Sequence, residues 1–206
     1  MTDLSTLIME TMFTLSGALL YPAIIVLLAF VVWTLTALGQ FISEYSGRTR
    51  NLERLRDGCR ETQALVQAQS YGEAAETLAA SGSNPLLRSF TGDLAKLLGD
   101  DRFSIESEKL LQDYEIRIAA ELERLKILTR TAPMLGLMGT LIPLGPALMG
   151  LSSGNVEALA SNLVIAFSTT VLGLFAGGIA YAIMLTKRRW YLQDLSDMEY
   201  VARVVA

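Results

Sequence analysis

The chain has 206 residues, 51% of them hydrophobic, with 17 Lys and Arg, 21 Asp and Glu, no His and one cysteine. A single cysteine cannot form a disulfide within the chain, and without His there is no zinc-type ligand spacing. We therefore expect no metal and no cofactor. No basic stripe for nucleic acid, no glycine-rich phosphate loop and no nucleophile beside a base is present, which argues against nucleic-acid partners and against an enzyme.

Three long uncharged segments stand out, at residues 11–43, 131–156 and 158–186. Each supplies about 20 apolar residues, enough for a helix to cross a hydrocarbon core roughly 30 Å thick. Only helices or closed barrels satisfy every backbone polar group in lipid, and no strand-like alternation is present. The sequence therefore predicts an all-α integral membrane protein with three transmembrane helices and a cytoplasmic helical domain.

Basic residues indicate the topology. All 17 lie between Arg48 and Arg130 or from Lys187 onward, and several, Arg50 among them, lie close to a membrane end. Because cytoplasmic loops collect Lys and Arg, we expect a plasma (inner) membrane protein with its N-terminus outside and its main loop and C-terminus inside. The predicted segments are an extracytoplasmic tail at 1–17, transmembrane helix 1 at 18–38, a cytoplasmic helical domain at 39–131, transmembrane helix 2 at 132–151, an extracytoplasmic link at 152–162, transmembrane helix 3 at 163–185 and a cytoplasmic tail at 186–206.

A cleaved signal peptide is the competing interpretation of the first span. Such peptides begin with a positive region and have a short apolar core. Here the preceding residues contain Asp3, Glu10 and no basic residue, and the apolar run is longer. We therefore expect an uncleaved span, and a reduced thiol at Cys59 on the cytoplasmic side.

The loop after the first span has helical periodicity, with breaks at residues 81–85 and 99–101. This pattern predicts a small three-helix domain whose last helix starts at about Phe103. Two apolar stripes follow helical spacing: Leu111, Tyr114, Ile118, Leu122 and Leu125, and Leu86, Leu87, Phe90, Leu94, Leu97 and Leu98. Packing between the loop helices explains both stripes, and subunit contact in an oligomer is the alternative.

The predicted spans contain no Asp, Glu, His, Lys or Arg. A proton relay normally leaves an ionisable residue in the membrane, so this chain alone is not an ordinary proton pump. Small and polar residues recur instead at helical spacing, as Pro133, Gly136, Thr140 and Pro143 in the second span and Ala166, Thr170, Gly173 and Gly177 in the third. Such faces favour close contact with another helix.

The hydroxyls of Thr140 and Thr170 are expected at a similar depth near the middle of the membrane. At that depth they could line a wet path. The alternative is a structural role, since threonines in membrane helices commonly bond a carbonyl of their own or a neighbouring helix. Pro143 and Pro146 are expected to kink the outer half of the second span.

Residues 131–140 (TAPMLGLMGT) and 166–174 (AFSTTVLGL) together resemble the second and third spans of the MotA/TolQ/ExbB proton-channel family. The three-span layout is similar to the TolQ/ExbB branch. Ile165 stands where that branch usually has a glutamate, and Ile179 where it usually has a proline, so the chain resembles a divergent member.

This resemblance implies a homo-oligomeric ring, pentameric in the family, in membrane lipid around a single-span partner like ExbD, TolR or MotB. The partner's membrane aspartate would carry the proton. Thr140 and Thr170 match the family threonines that face this carboxylate and are the candidate proton-path residues. Pro133, Gly136, Gly139 and Gly173 match positions that shape the helices, and Gly177 forms a small-xxx-small pair with Gly173.

The function expected from the resemblance is a ring subunit of a motor or channel driven by H⁺ or Na⁺. Two other classes stay open. One is a non-conducting scaffold that assembles other membrane proteins, which the absence of an aspartate-bearing partner would favour. The other is a small transporter for a neutral solute, against which the lack of inverted repeats argues.

Overall fold

The computed structural model describes residues 2–48 and 51–205, with side chains from Leu4 onward. Arg50, used above for the topology, lies outside these residues. The described residues form seven α-helices and no strand: α1 (Thr2–Ala18), α2 (Leu20–Gly47), α3 (Leu52–Gln67), α4 (Tyr71–Ser81), α5 (Pro85–Ala95), α6 (Phe103–Ser152) and α7 (Val156–Val205).

Within the described residues, three helical stretches are long and apolar enough to cross a membrane: Leu4–Gly47, Phe103–Ser152 and Val156–Val205. The prediction of an all-α membrane protein with three spanning helices is therefore confirmed. The first stretch joins α1 and α2, so residues 2–17 of the predicted N-terminal tail are themselves helical.

The chain divides into two compact units. The span unit contains the chain through Ile42 together with Arg124–Met184. The loop unit contains Ser43–Glu123 together with the chain from Leu185 onward. The long helices α6 and α7 each contribute residues to both units.

In the span unit, α6 and α7 form a hairpin with a link of three residues, Ser153 to Asn155. Gly154 has a φ of +77°, and the N–H of Asn155 donates to the carbonyl of Gly150 at 2.8 Å. This pattern is a Schellman C-cap, in which glycine takes the left-handed position without a Cβ clash. The side chain of Asn155 then accepts the backbone N–H of Ala158 at 3.0 Å and caps α7.

The helix α6 continues through all three of its prolines, Pro133, Pro143 and Pro146. Any bend that they cause therefore does not end the helix. The first span packs on its neighbours through one face of α2, on which Ala23, Leu27 and Thr34 are buried.

The core of the loop unit is built from α3, α4, α5, the first turns of α6 and the last turns of α7. Its buried residues are Leu55, Cys59, Leu78, Leu87, Phe90, Leu94, Ala95, Tyr114, Met198, Val201 and Val205. Both predicted apolar stripes contribute, and the rings of Phe90 and Tyr114 meet edge to face at 5.3 Å. These parts of the stripes pack inside one chain. Cys59 is a free thiol, and burial raises its pKa to about 11, which keeps it protonated and unreactive.

The prediction of a three-helix domain is incomplete in two respects. A break between Gln67 and Tyr71 divides its first part into α3 and α4. Gln69 takes a left-handed φ of 58° there, a cap for which the sequence has no glycine signal. The predicted C-terminal tail is also helical, since α7 runs to Val205 and buries its last turns in this core. Apolar residues at helical spacing after the third span carried that signal.

Candidate functional site

Helices α6 and α7 contact each other in the membrane along small residues that we call the α6–α7 seam: Ala132, Pro133, Gly136 and Gly139 on α6, and Thr169, Thr170, Gly173 and Gly177 on α7. At its centre the two backbones touch. A Cβ on Gly173 would lie 2.7 Å from the carbonyl oxygen of Ala132 and 2.9 Å from the Cα of Gly136. Only glycine fits this separation of the helices.

The contacts on either side show that the helices are antiparallel. Towards the end of α7, a Cβ on Gly177 would lie 2.6 Å from the ring Cγ of Pro133. In the other direction, a Cβ on Gly139 would lie 2.6 Å from the Cβ of Thr169 and would also clash with its hydroxyl oxygen. The structure thus brings together all five residues predicted to shape the helices, and it places them between two helices of the same chain.

The two candidate proton-path threonines lie near one level of this seam. The Thr170 hydroxyl donates across it to the carbonyl of Gly136, with an oxygen–oxygen distance of 3.4 Å. In an α-helix that carbonyl also accepts the backbone N–H four residues later, which belongs to Thr140. The Thr140 hydroxyl donates to the Leu137 carbonyl of its own helix at 2.7 Å. Both threonines are half-buried, so each can still meet water or another chain.

Sequence reasoning missed Thr169, which faces the seam more directly than Thr170 does. Thr169 is 5% exposed, and its hydroxyl donates to the carbonyls of Ile165 and Ala166 in its own helix, at 3.0 and 2.9 Å. Its contact with Gly139 explains why that position is small. The spacing of Ala166, Thr169 and Gly173 by three and four residues was the available signal.

Thr34 is a second polar residue that the sequence did not single out. It is 1% exposed on α2, and its hydroxyl oxygen has no hydrogen-bond partner among the described residues. A buried hydroxyl without a partner costs about 1–3 kcal/mol. A hydrogen bond from the Thr34 hydroxyl to a water molecule or to a further polar group would therefore stabilise this site.

Most of the spanning surface is not covered by the chain itself. In the most apolar window of the three spanning helices, only 11%, 22% and 33% of the residues are buried. Large side chains such as Leu137, Leu141, Phe167 and Val171 remain exposed. These surfaces are available to lipid, to further copies or to another membrane protein.

The loop unit contains a buried acidic site centred on Asp194, which the sequence did not reveal. Its Oδ1 accepts hydrogen bonds from the Arg48 guanidinium at 2.7 Å and from the Asn84 amide at 2.8 Å. Its Oδ2 has no partner among the described residues. Burial raises the pKa of Asp194 above its usual value, and the bonds from Arg48 and Asn84 offset only part of this shift.

Lys187, the first basic residue after the third span, is also buried and paired. Its Nζ lies 2.7 Å from a carboxylate oxygen of Glu121 and 2.9 Å from one of Glu44. Burial alone would lower the pKa of Lys187, but its bonds to the two carboxylates outweigh burial and raise the pKa. Lys187 therefore holds α2, α6 and α7 together instead of facing solvent.

The model of the MotA/TolQ/ExbB proton channel family matches residues 83–199, more than half of the chain. The chain belongs to this family. The matched region includes the whole α6–α7 seam and, in the loop unit, α5 and the start of α6, but it leaves out α3 and α4. The resemblance noted in the two short motifs therefore extends beyond them. No curated protein matches the chain significantly.

Proposed function

We propose that this MotA/TolQ/ExbB-family protein is a ring-forming subunit of an ion-driven motor or channel in the plasma (inner) membrane. Its partner would be a single-span protein with a membrane aspartate. The observation that carries this proposal is the absence of Asp, Glu, His, Lys and Arg from residues 18–38, 132–151 and 163–185 of a proton-channel family member. A titrating group must then come from another chain.

The exposed spans support an assembly of several chains. Three helices packed around a seam with touching backbones leave no lumen between α6 and α7, and most of their outer surface is free. An ion path would therefore lie between copies or between a copy and the partner. A proton that crosses roughly 150 mV releases about 3.5 kcal/mol, which would drive the partner's contacts from one subunit to the next.

In this proposal, Thr140 and Thr170 supply hydroxyls beside the partner's aspartate. Thr170 is well suited, because its bond to the Gly136 carbonyl is long at 3.4 Å and therefore weak. Its hydroxyl can leave that acceptor for a carboxylate or a water molecule at small cost.

The test begins with native mass spectrometry of the complex purified gently from its own membranes, with every copurifying chain sequenced. The same complex in liposomes is then assayed for proton flux under an imposed potential. We expect Thr170→Val to keep the subunit composition and abolish flux, and Thr170→Ser to keep both. Unchanged flux in the valine variant would refute the role of Thr170. Replacing Na⁺ by K⁺ at constant pH distinguishes the two candidate ions.

A non-conducting scaffold is the second candidate, and the seam is the observation that favours it. All the small residues of the seam are used to join two helices of one chain, which a structural subunit also requires. Copurifying chains without a membrane aspartate, together with no flux in the wild-type complex, would establish the scaffold and overturn the motor.

A further inference from the structure

A groove of about 510 Å³ opens on the loop unit where the third span ends. It is lined by Tyr45, Leu185, Thr186, Arg189, Trp190 and Gln193. Four of these residues lie at positions i, i+3, i+4 and i+7 of α7 and so share one face of that helix: Thr186, Arg189, Trp190 and Gln193. Leu185 is the last residue of the predicted third span and is 47% exposed, which places the groove at the boundary between hydrocarbon and water.

The charge of the groove is positive. Arg189 is the one charged residue of the lining, and it has no carboxylate partner among the described residues. Two carboxylates adjoin lining residues in sequence, Glu44 beside Tyr45 and Asp194 beside Gln193. Both are already paired with other cations, Glu44 with Lys187 at 2.9 Å and Asp194 with Arg48 at 2.7 Å. An anion at Arg189 would therefore meet a cation and polar groups without a competing free carboxylate.

Two aromatic rings form part of the wall. Tyr45 and Trp190 lie with their ring centroids 5.9 Å apart, and the Arg48 guanidinium lies 4.8 Å from the Trp190 centroid. Tyrosine and tryptophan are favoured at the level of lipid headgroups because each has an apolar body and a polar tip. Together with Leu185 they offer apolar contact beside the arginine.

We propose that this groove binds one anionic phospholipid, with the headgroup phosphate on Arg189 and the polar side chains of Thr186 and Gln193. The glycerol and the start of the acyl chains would lie against Tyr45 and Leu185. A lipid fits better than a soluble anion because the groove combines a cation with apolar surface at the end of a spanning helix. The proposal does not depend on whether the complex conducts ions.

Neighbouring arginines provide a matched test. Arg188 and Arg189 are both exposed and follow each other in α7, but only Arg189 lines the groove. Delipidated complex is titrated with phosphatidylglycerol, and separately with phosphatidylcholine, and bound lipids are counted by native mass spectrometry. We expect Arg189→Gln to lower the affinity for the first bound phosphatidylglycerol by about tenfold, the effect of losing one charge-assisted hydrogen bond. Arg188→Gln should change this affinity less than about twofold. The affinity for phosphatidylcholine should be the same in both variants.

The outcomes that overturn the proposal are separate from one another. Equal weakening in both variants would mean general attraction of anionic lipid to surface charge. No phosphatidylglycerol on the wild-type complex would mean that another chain covers the groove. Displacement of phosphatidylglycerol by millimolar glycerol 3-phosphate would identify a site for soluble phosphate. Circular dichroism and subunit composition of each variant show that it is folded and assembled before binding is compared.

Discussion

Replacing Gly173 by alanine should separate the two helices of the seam. The new Cβ would lie 2.7 Å from the Ala132 carbonyl oxygen, whereas ordinary contact begins at 3.4 Å. The backbones must therefore move apart by about 0.7 Å, a gap that forfeits a quarter to a half of the dispersion energy of the affected contacts. Overpacking of this kind costs about 1–3 kcal/mol, so we expect the free energy of unfolding to fall by that amount.

A second glycine of α7 supplies the control. A Cβ on Gly178 would meet no atom within 4 Å, so Gly178→Ala makes the same chemical change without a clash. Unfolding is followed by circular dichroism as SDS is titrated into mixed micelles of each variant. Gly178→Ala should be neutral or slightly stabilising, because alanine favours helix over glycine. Equal stability of the two variants would refute the close backbone contact at the seam.

Two further predictions concern the loop unit. Gln69→Gly should raise the free energy of unfolding of the loop unit by about 0.5–1 kcal/mol. The left-handed φ of 58° costs a residue with a Cβ about 1–2 kcal/mol, and the greater freedom of glycine in the unfolded chain offsets part of that gain. Gln63→Gly in the exposed middle of α3 should instead lower the free energy of unfolding by about 1 kcal/mol, and the same direction for both variants would contradict this. Arg48→Gln should lower stability by about 3 kcal/mol at pH 7, because it leaves the buried Asp194 charge without its cation. The pKa of Asp194 is already raised in the folded state and should rise further in this variant. Protonation of Asp194 should therefore reduce the stability difference between wild type and variant as pH falls below 7. A stability difference that does not change with pH in thermal melts would show that the charge of Asp194 is not its cause.

The sequence by itself determined the all-α class and which segments can cross a membrane. A run of about 20 uncharged apolar residues has one low-energy arrangement in lipid, because a helix satisfies its backbone polar groups without partners from elsewhere. Local capping was also readable in part, since Asn84 and Pro85 begin α5 with the Asn84 side chain on the N–H of Leu87. The family motifs lie in the same segments. None of these features depends on distant parts of the chain.

Only the tertiary structure decided which faces meet and which charges pair. Thr169 and Thr170 differ by about 100° around α7, and the rotation that turns Thr169 towards Gly139 is the outcome of all contacts along the seam. Lys187 likewise looked like a marker of topology until the fold brought Glu44 and Glu121 to it. Helical periodicity describes each helix alone, whereas the rotation between helices and the partners of a buried charge depend on residues far apart in the chain.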